Sequence, residues 1–182
     1  MSMGYSSEKM QHVILFFLER INNVHLGRTK LMKLLYYVDF DHYEMHGRSV
    51  TGAVYRKLTH GPVPQQAMKL IQNMASEKLV QEVNVKRADY AQHRLIARTK
   101  FDPSLFSGEE INTLERVAKE WEYCTGSQIE AASHAEAPWA ATKAGKVIDY
   151  ELARYRRPTG EEPLDAALAK SSKFAKYVAA LR

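Results

Sequence analysis

A single cysteine, Cys124, stands among 182 residues, which excludes an internal disulfide framework and agrees with a reducing compartment. No apolar run approaches the roughly 20 residues that cross a bilayer, and the opening stretch MSMGYSSEKM lacks the basic and apolar regions of a signal peptide. A cytoplasmic protein with no membrane partner is therefore expected. The chain has no GxxxxGK phosphate loop, no GxGxxG turn, no internal repeat and no low-complexity tract. The carboxylate pairs Glu109-Glu110 and Glu161-Glu162 are sequence neighbours. Adjacent residues point apart on a helix, so neither makes an acid–base couple.

What is present is the composition of a water-soluble globular domain, 45% apolar and 26% charged. A chain of this length buries about 70% of its unfolded surface and needs no staple. The net charge of +5 is unevenly spread. Residues 1–60 carry 8 Lys or Arg against 5 Asp or Glu, residues 61–100 carry 7 against 3, and residues 101–182 carry 11 against 13. The middle is basic, though the excess is within what a solvated surface carries.

The periodicities predict a mainly α (α+β) single domain, a helical bundle with a small antiparallel sheet or hairpin. Ser6 or Ser7 caps a first helix with Met10, Val13, Ile14, Phe17, Leu18 and Ile21 on its apolar face, ended near Asn22, Asn23 and Gly27. Thr29 caps a second helix that stops at Gly47. Gly52 to Leu58 reads as a strand. Gly61-Pro62-Val63-Pro64 reads as a stiff corner, with Pro64 opening a helix to about Lys78 that buries Met68, Ile71, Met74 and Ala75. Leu79 to Val85 and His93 to Thr99 form a basic hairpin. Ser107 with Glu110 makes a capping box ahead of Ile111, Leu114, Val117, Ala118 and Trp121. Further helix is expected over Ser127 to His134 and from Pro138 through Trp139, while Val147 to Leu152 fits either an extended segment or a helical turn. The domain is set at residues 1–155, followed by a linker and a C-terminal helix over 156–182 packed on the same domain.

The second helix carries the strongest signal. At about 100° per residue its apolar arc covers most of the circumference and leaves Lys33, Tyr37, Asp41 and Glu44 as the wet face. Asp39, His42 and His46 fall inside the apolar arc, where a charge needs a partner or a proton. His42 and His46 have the i, i+4 spacing of helical zinc ligands, yet the catalytic glutamate of a zinc hydrolase motif is missing, since Asp41 precedes and Tyr43 follows His42. No metal and no cofactor are expected. The favoured reading is an Asp39–His42 hydrogen bond that pins the helix to the Gly-Pro corner, with Arg48 and His60 as further members. Direct recognition by the same residues is the alternative.

Asp39, His42, Gly47 and Arg48, preceded by Leu34-Leu35-Tyr36-Tyr37 and followed by His60-Gly61-Pro62-Val63, resemble the Panacea domain, the SocA-like antitoxin module also described as phage-associated GepA-like protein. Ser133-His134, Pro138-Trp139 and Ile148-Asp149-Tyr150 resemble its C-terminal signature, so the likeness runs from about Ile14 to Leu152. The resemblance implies a non-enzymatic antitoxin that neutralises a cognate toxin by direct contact. It marks Asp39, His42, Arg48, His60, Gly61, Pro62, His134 and Trp139 as candidates for motif or partner-binding positions. Trp139 and His134 also fit a plain core anchor, the indole N–H taking a nearby acceptor.

Two rivals remain. Cys124, His134 and Asp149 are the residue types of a cysteine nucleophile, base and orienter, but the setting between Tyr123 and Thr125 matches no nucleophile context. The basic hairpin, with Lys86, Arg87, Arg94 and Arg98, fits weak phosphate contact in a winged-helix-like nucleic-acid-binding regulator of phage origin. That regulator is the alternative function; the sequence does not set the oligomeric state or the toxin's identity.

Overall fold

The computed structural model describes residues 4–86 and 91–156. Helix α1, Ser7–Arg20, starts where the Ser6 side chain accepts the Lys9 amide and buries Met10, Val13, Ile14, Phe16 and Phe17. Helix α2, Arg28–His46, begins one residue before the expected Thr29 cap, with Gly27 as N-cap and no side-chain cap bond. It ends as expected at Gly47, whose φ of 71° is the left-handed conformation that glycine adopts without steric cost.

Strands β1, Tyr55–Leu58, and β2, Gly61–Pro64, pair antiparallel with Tyr55 opposite Pro64 and Leu58 opposite Gly61. The expected Gly-Pro corner is therefore a strand, and Pro64 does not open a helix. Neither proline nitrogen can donate to a ladder, but a two-stranded hairpin has an outer edge that needs no donor. Val147 forms an antiparallel bridge to Arg56 on the other side of β1. Helix α3, Ala67–Ser76, buries Ala67, Ile71 and Met74 and leaves Met68 exposed, against expectation. Strands β3, Val80–Lys86, and β4, Ala91–Ala97, form the second hairpin, in register from Val80–Ala97 to Lys86–Ala91.

Helix α4, Gly108–Trp121, carries the expected capping box, Ser107 and Glu110 each bonding the other's backbone. A second box, Thr125 with Gln128, opens α5, Gly126–His134. Pro138 lies in the first turn of α6, Ala137–Ala140. The ambiguous stretch after Val147 is extended at the Arg56 bridge and then a 3-10 helix, Tyr150–Tyr155. The expected tail helix, and the linker apart from Arg156, lie outside the described residues.

Helix α2 is the axle of the domain. Helices α1, α4 and α5, strands β2 and β4 and the 3-10 helix Tyr150–Tyr155 all contact it, and every residue from Lys30 to His42 is buried. The expected wet face is corrected: Lys33, Tyr37 and Asp41 are 1%, 1% and 2% exposed, and of the four only Glu44 reaches solvent, half-buried. Tyr37 stacks on Trp121 of α4 with ring centroids 4.5 Å apart. Asp41 receives Arg116 at 2.7 Å and Arg156 at 2.6 Å. Arg156 also grips Glu136 through two bonds, at 2.8 and 3.0 Å, and its guanidinium lies over the rings of Tyr36 and Tyr37. The residue assigned to the start of a linker thus plugs the core, because an arginine fork can satisfy two carboxylates at once.

Candidate functional site

The Asp39–His42 bond is not formed. Asp39 accepts the Thr51 amide at 2.7 Å, the Thr51 hydroxyl and the Tyr55 hydroxyl at 2.8 Å. It holds the start of the β1 approach against α2. Burial pushes its carboxyl up to about 6, against the pull of those donors. His42 points to α4 instead, its Nδ1 2.9 Å from the Thr113 hydroxyl. That hydroxyl also lies 3.0 Å from the Glu109 carbonyl; with its hydrogen given there, His42 Nδ1 is the donor and Nε2 carries a lone pair. Nε2 is buried and has no partner among the described residues. Burial, with the His46 ring 4.4 Å away, lowers the His42 imidazole to about 4. Arg48 pairs with Glu109 at 2.8 Å on the exposed side of α4, and His60 lies elsewhere, so neither joins Asp39. Among the described residues no group of three or more His, Cys, Asp or Glu can hold a metal ion.

His60, Gly61 and Pro62 do meet His134 and Trp139. His60 sits in the tight turn between β1 and β2, its Nδ1 3.2 Å from Glu130 on α5. Lys33, reaching from α2, donates to the Pro62 carbonyl at 3.1 Å. Burial lowers its ammonium to about 8, with Glu130 opposing. Gly61 has a φ of 100°, and a Cβ there would lie 2.6 Å from Lys33 Cε and 3.0 Å from Ser133 Oγ. The glycine of the motif is thus demanded twice, by backbone conformation and by close approach.

Beside this turn the His134 and Trp139 rings stack with centroids 4.0 Å apart and planes 15° apart. The Lys57 ammonium lies 3.8 Å from the same indole centroid, an arrangement in which cation and π-face attract. The two cannot share one face at those distances, so the indole is sandwiched. Its N–H reaches the Leu58 carbonyl at 3.4 Å, a long bond. Trp139 is half-buried rather than a core anchor. His134 Nε2 is buried and has no partner among the described residues. Burial lowers the His134 pKa, and Lys33, Lys57 and His60 lower it further against Glu130.

His60 and His134 also line a groove of about 690 Å³ bounded by Gly27 to Lys30, Ala91 to His93 and Thr125 to Ala131. Four histidines line it, His25, His60, His93 and His134, of the seven in the chain. Lys57, Glu130 and Lys33 were not singled out from sequence. Glu130 was findable, since it lies one helical turn before His134.

The three residues of the enzymatic reading have these settings. Asp149 caps the 3-10 helix by accepting the Glu151 amide, His134 stacks on Trp139, and Cys124 is a free, half-buried thiol. Of the hairpin candidates, Arg94 donates to the Asn23 carbonyl at 2.9 Å, Arg98 is bonded to Gln81 and Lys86 is exposed. Arg87 lies outside the described residues. No described helix is long and apolar enough to cross a membrane.

The family model described as antitoxin SocA-like, Panacea domain, matches residues 31–140. The chain belongs to the Panacea-domain family. The matched span runs from the first turn of α2 to the end of α6, so the Panacea domain contains both the His60-Gly61-Pro62 turn and the His134–Trp139 stack. No curated protein and no solved structure matches the chain.

Proposed function

We propose that this protein is a non-enzymatic antitoxin that neutralises a cognate toxin by direct contact, acting in the cytoplasm through residues 1–155 as one unit. The contact face is the one where the β1–β2 turn meets α5 and α6. One observation carries this reading: two motif blocks separated by some seventy residues converge on a partly exposed surface, while Asp39 and His42 are spent inside the core. Residues needed only for folding have no cause to gather a sandwiched indole and an exposed histidine in one place. The hairpin arginines Arg94 and Arg98 are engaged within the chain, which disfavours the nucleic-acid alternative.

The test is co-expression with the product of the adjacent gene. That product alone should arrest growth, and this chain should relieve the arrest and co-purify with it. A harmless neighbour, or undiminished arrest with the antitoxin fully expressed, overturns the reading.

A further inference from the structure

The groove of about 690 Å³ beside the β1–β2 turn is lined by polar groups whose hydrogen-bonding capacity the fold leaves partly unused. Lys30 is 0% exposed, and its ammonium donates to the Glu122 carbonyl at 2.8 Å. Arg28 Nε and His134 Nε2 are both buried atoms without a partner among the described residues. A buried donor left unpaired costs about 1 to 3 kcal/mol, and a ligand that satisfies several at once recovers that cost. The first turns of α2 and α5 also border the groove, and neither contains an acidic residue.

We infer that this groove is a receptor for a single carboxylate, presented by an acidic side chain of the toxin. The inference rests on the antitoxin reading and names the chemistry of its contact. Charge decides against a longer polyanion. Arg28 is paired with Glu82, His93 Nδ1 stands 3.8 Å from the same carboxylate, and His60 faces Glu130. Arg28 is thus matched by Glu82, and Glu130 adds a second acid beside His60. A row of phosphates would be repelled by those acids, whereas one carboxylate replaces Glu82 at the Arg28 fork, accepts from Arg28 Nε and accepts from His134 Nε2 in the tautomer that carries its hydrogen there.

The experiment uses the full ¹⁵N-labelled chain at neutral pH, a short capped peptide alternating aspartate and glycine, and the matching asparagine peptide. Saturable shifts of the Arg28 Nε–H and the His60 and His134 side-chain signals are expected with the aspartate peptide alone. Arg28→Gln, which keeps a polar group, and His134→Phe, which keeps the stack on Trp139, should each weaken binding by about fivefold or more, with the remaining spectrum unchanged. Equal shifts from the asparagine peptide, shifts confined to other surfaces, or no saturation overturn the inference. Displacement of the peptide by duplex DNA at lower concentration overturns it in favour of phosphate recognition. Peptide binding without relief of growth arrest sinks the antitoxin reading and leaves the carboxylate receptor standing. Relief of arrest with no peptide binding does the reverse.

Discussion

Lys33 passes directly beneath Gly61: a Cβ on the glycine would stand 2.6 Å from Lys33 Cε and 3.0 Å from its ammonium nitrogen. The lysine is held there by the Pro62 carbonyl, and it cannot retreat into solvent because it is buried on every side. One buried charge of α2 therefore fixes the turn that carries His60.

Gly61→Ala should accordingly be costlier than an ordinary left-handed glycine substitution. Gly145 has a φ of 73°, and nothing stands within 4 Å of the place a Cβ would take there, so Gly145→Ala should cost about 1 to 2 kcal/mol, the backbone term alone. Gly61→Ala adds displacement of Lys33 from its acceptor and should cost about 2 to 4 kcal/mol. Chemical denaturation measures both. Combining Gly61→Ala with Lys33→Leu, which shortens the side chain, should cost less than the two single changes added together; strict additivity would show that Lys33 is not the obstacle.

The pH dependence of stability carries two opposed contributions from α2. Asp39 titrates at about 6 in the fold against 3.8 when free, so between those values the folded state holds the extra proton and stability falls as pH rises. His42 titrates at about 4 against 6.5. Over that window the unfolded state holds the proton, and stability rises with pH. Each contribution is of order 3 kcal/mol, so they nearly cancel. Relative to wild type, Asp39→Asn should therefore steepen the rise in stability from pH 4 to 6.5, and His42→Gln should replace it by a fall from pH 4 to 6. Parallel profiles for all three proteins would contradict the assigned burial of these groups.

Much of the fold was legible because its signals are local. Ser6, Gly47 and the Ser107–Glu110 box mark helix ends through bonds spanning a few residues, and the structure keeps all three. What failed was whatever depends on partners distant in sequence. Lys33, Tyr37 and Asp41 have the types of a wet face, yet Pro62, Trp121, Arg116 and Arg156 come from 29 to 115 residues away to cover them. Periodicity cannot see such partners. The Asp39–His42 pair failed for a related reason: i, i+3 spacing permits contact, but the Thr51 and Tyr55 donors and the Thr113 hydroxyl gave each group a better partner. For the site, the motif residues His60, Gly61, Pro62, His134 and Trp139 were named from sequence, whereas their meeting place around Lys57, Glu130 and Lys33 is set by the β1–β2 register and the packing of α5.

Arg156 offers a stability test at the end of the described chain. Arg156→Met leaves Glu136 without either of its guanidinium bonds and Asp41 with Arg116 alone. Removing one partner of a buried ion pair costs about 3 to 5 kcal/mol, a large part of a domain's roughly 5 to 15. The neighbouring Arg154, exposed and paired with Glu151 three residues away, is the control; Arg154→Met should cost about 1 kcal/mol or less. Equal effects on the denaturation midpoint would show that Arg156 is not the core plug.

The two tryptophans separate fold from recognition. Trp121 is half-buried, stacks on the buried Tyr37 and packs against the core, so Trp121→Ala should cost about 3 kcal/mol, the lower end of the penalty for removing a packed aromatic ring. Trp139 is held between His134 and Lys57 at the surface, and Trp139→Ala forfeits mainly that sandwich, of order 1 to 2 kcal/mol. A Trp121→Phe variant leaves Trp139 as the sole indole, since the chain has two. Its emission should shift to the blue when the toxin covers the face, because burial removes water from the ring. Trp139→Ala should then lose no more stability than that while failing to relieve growth arrest. Full relief of arrest by Trp139→Ala, with no emission change in the single-tryptophan protein on toxin addition, would move the contact away from the β1–β2, α5 and α6 face.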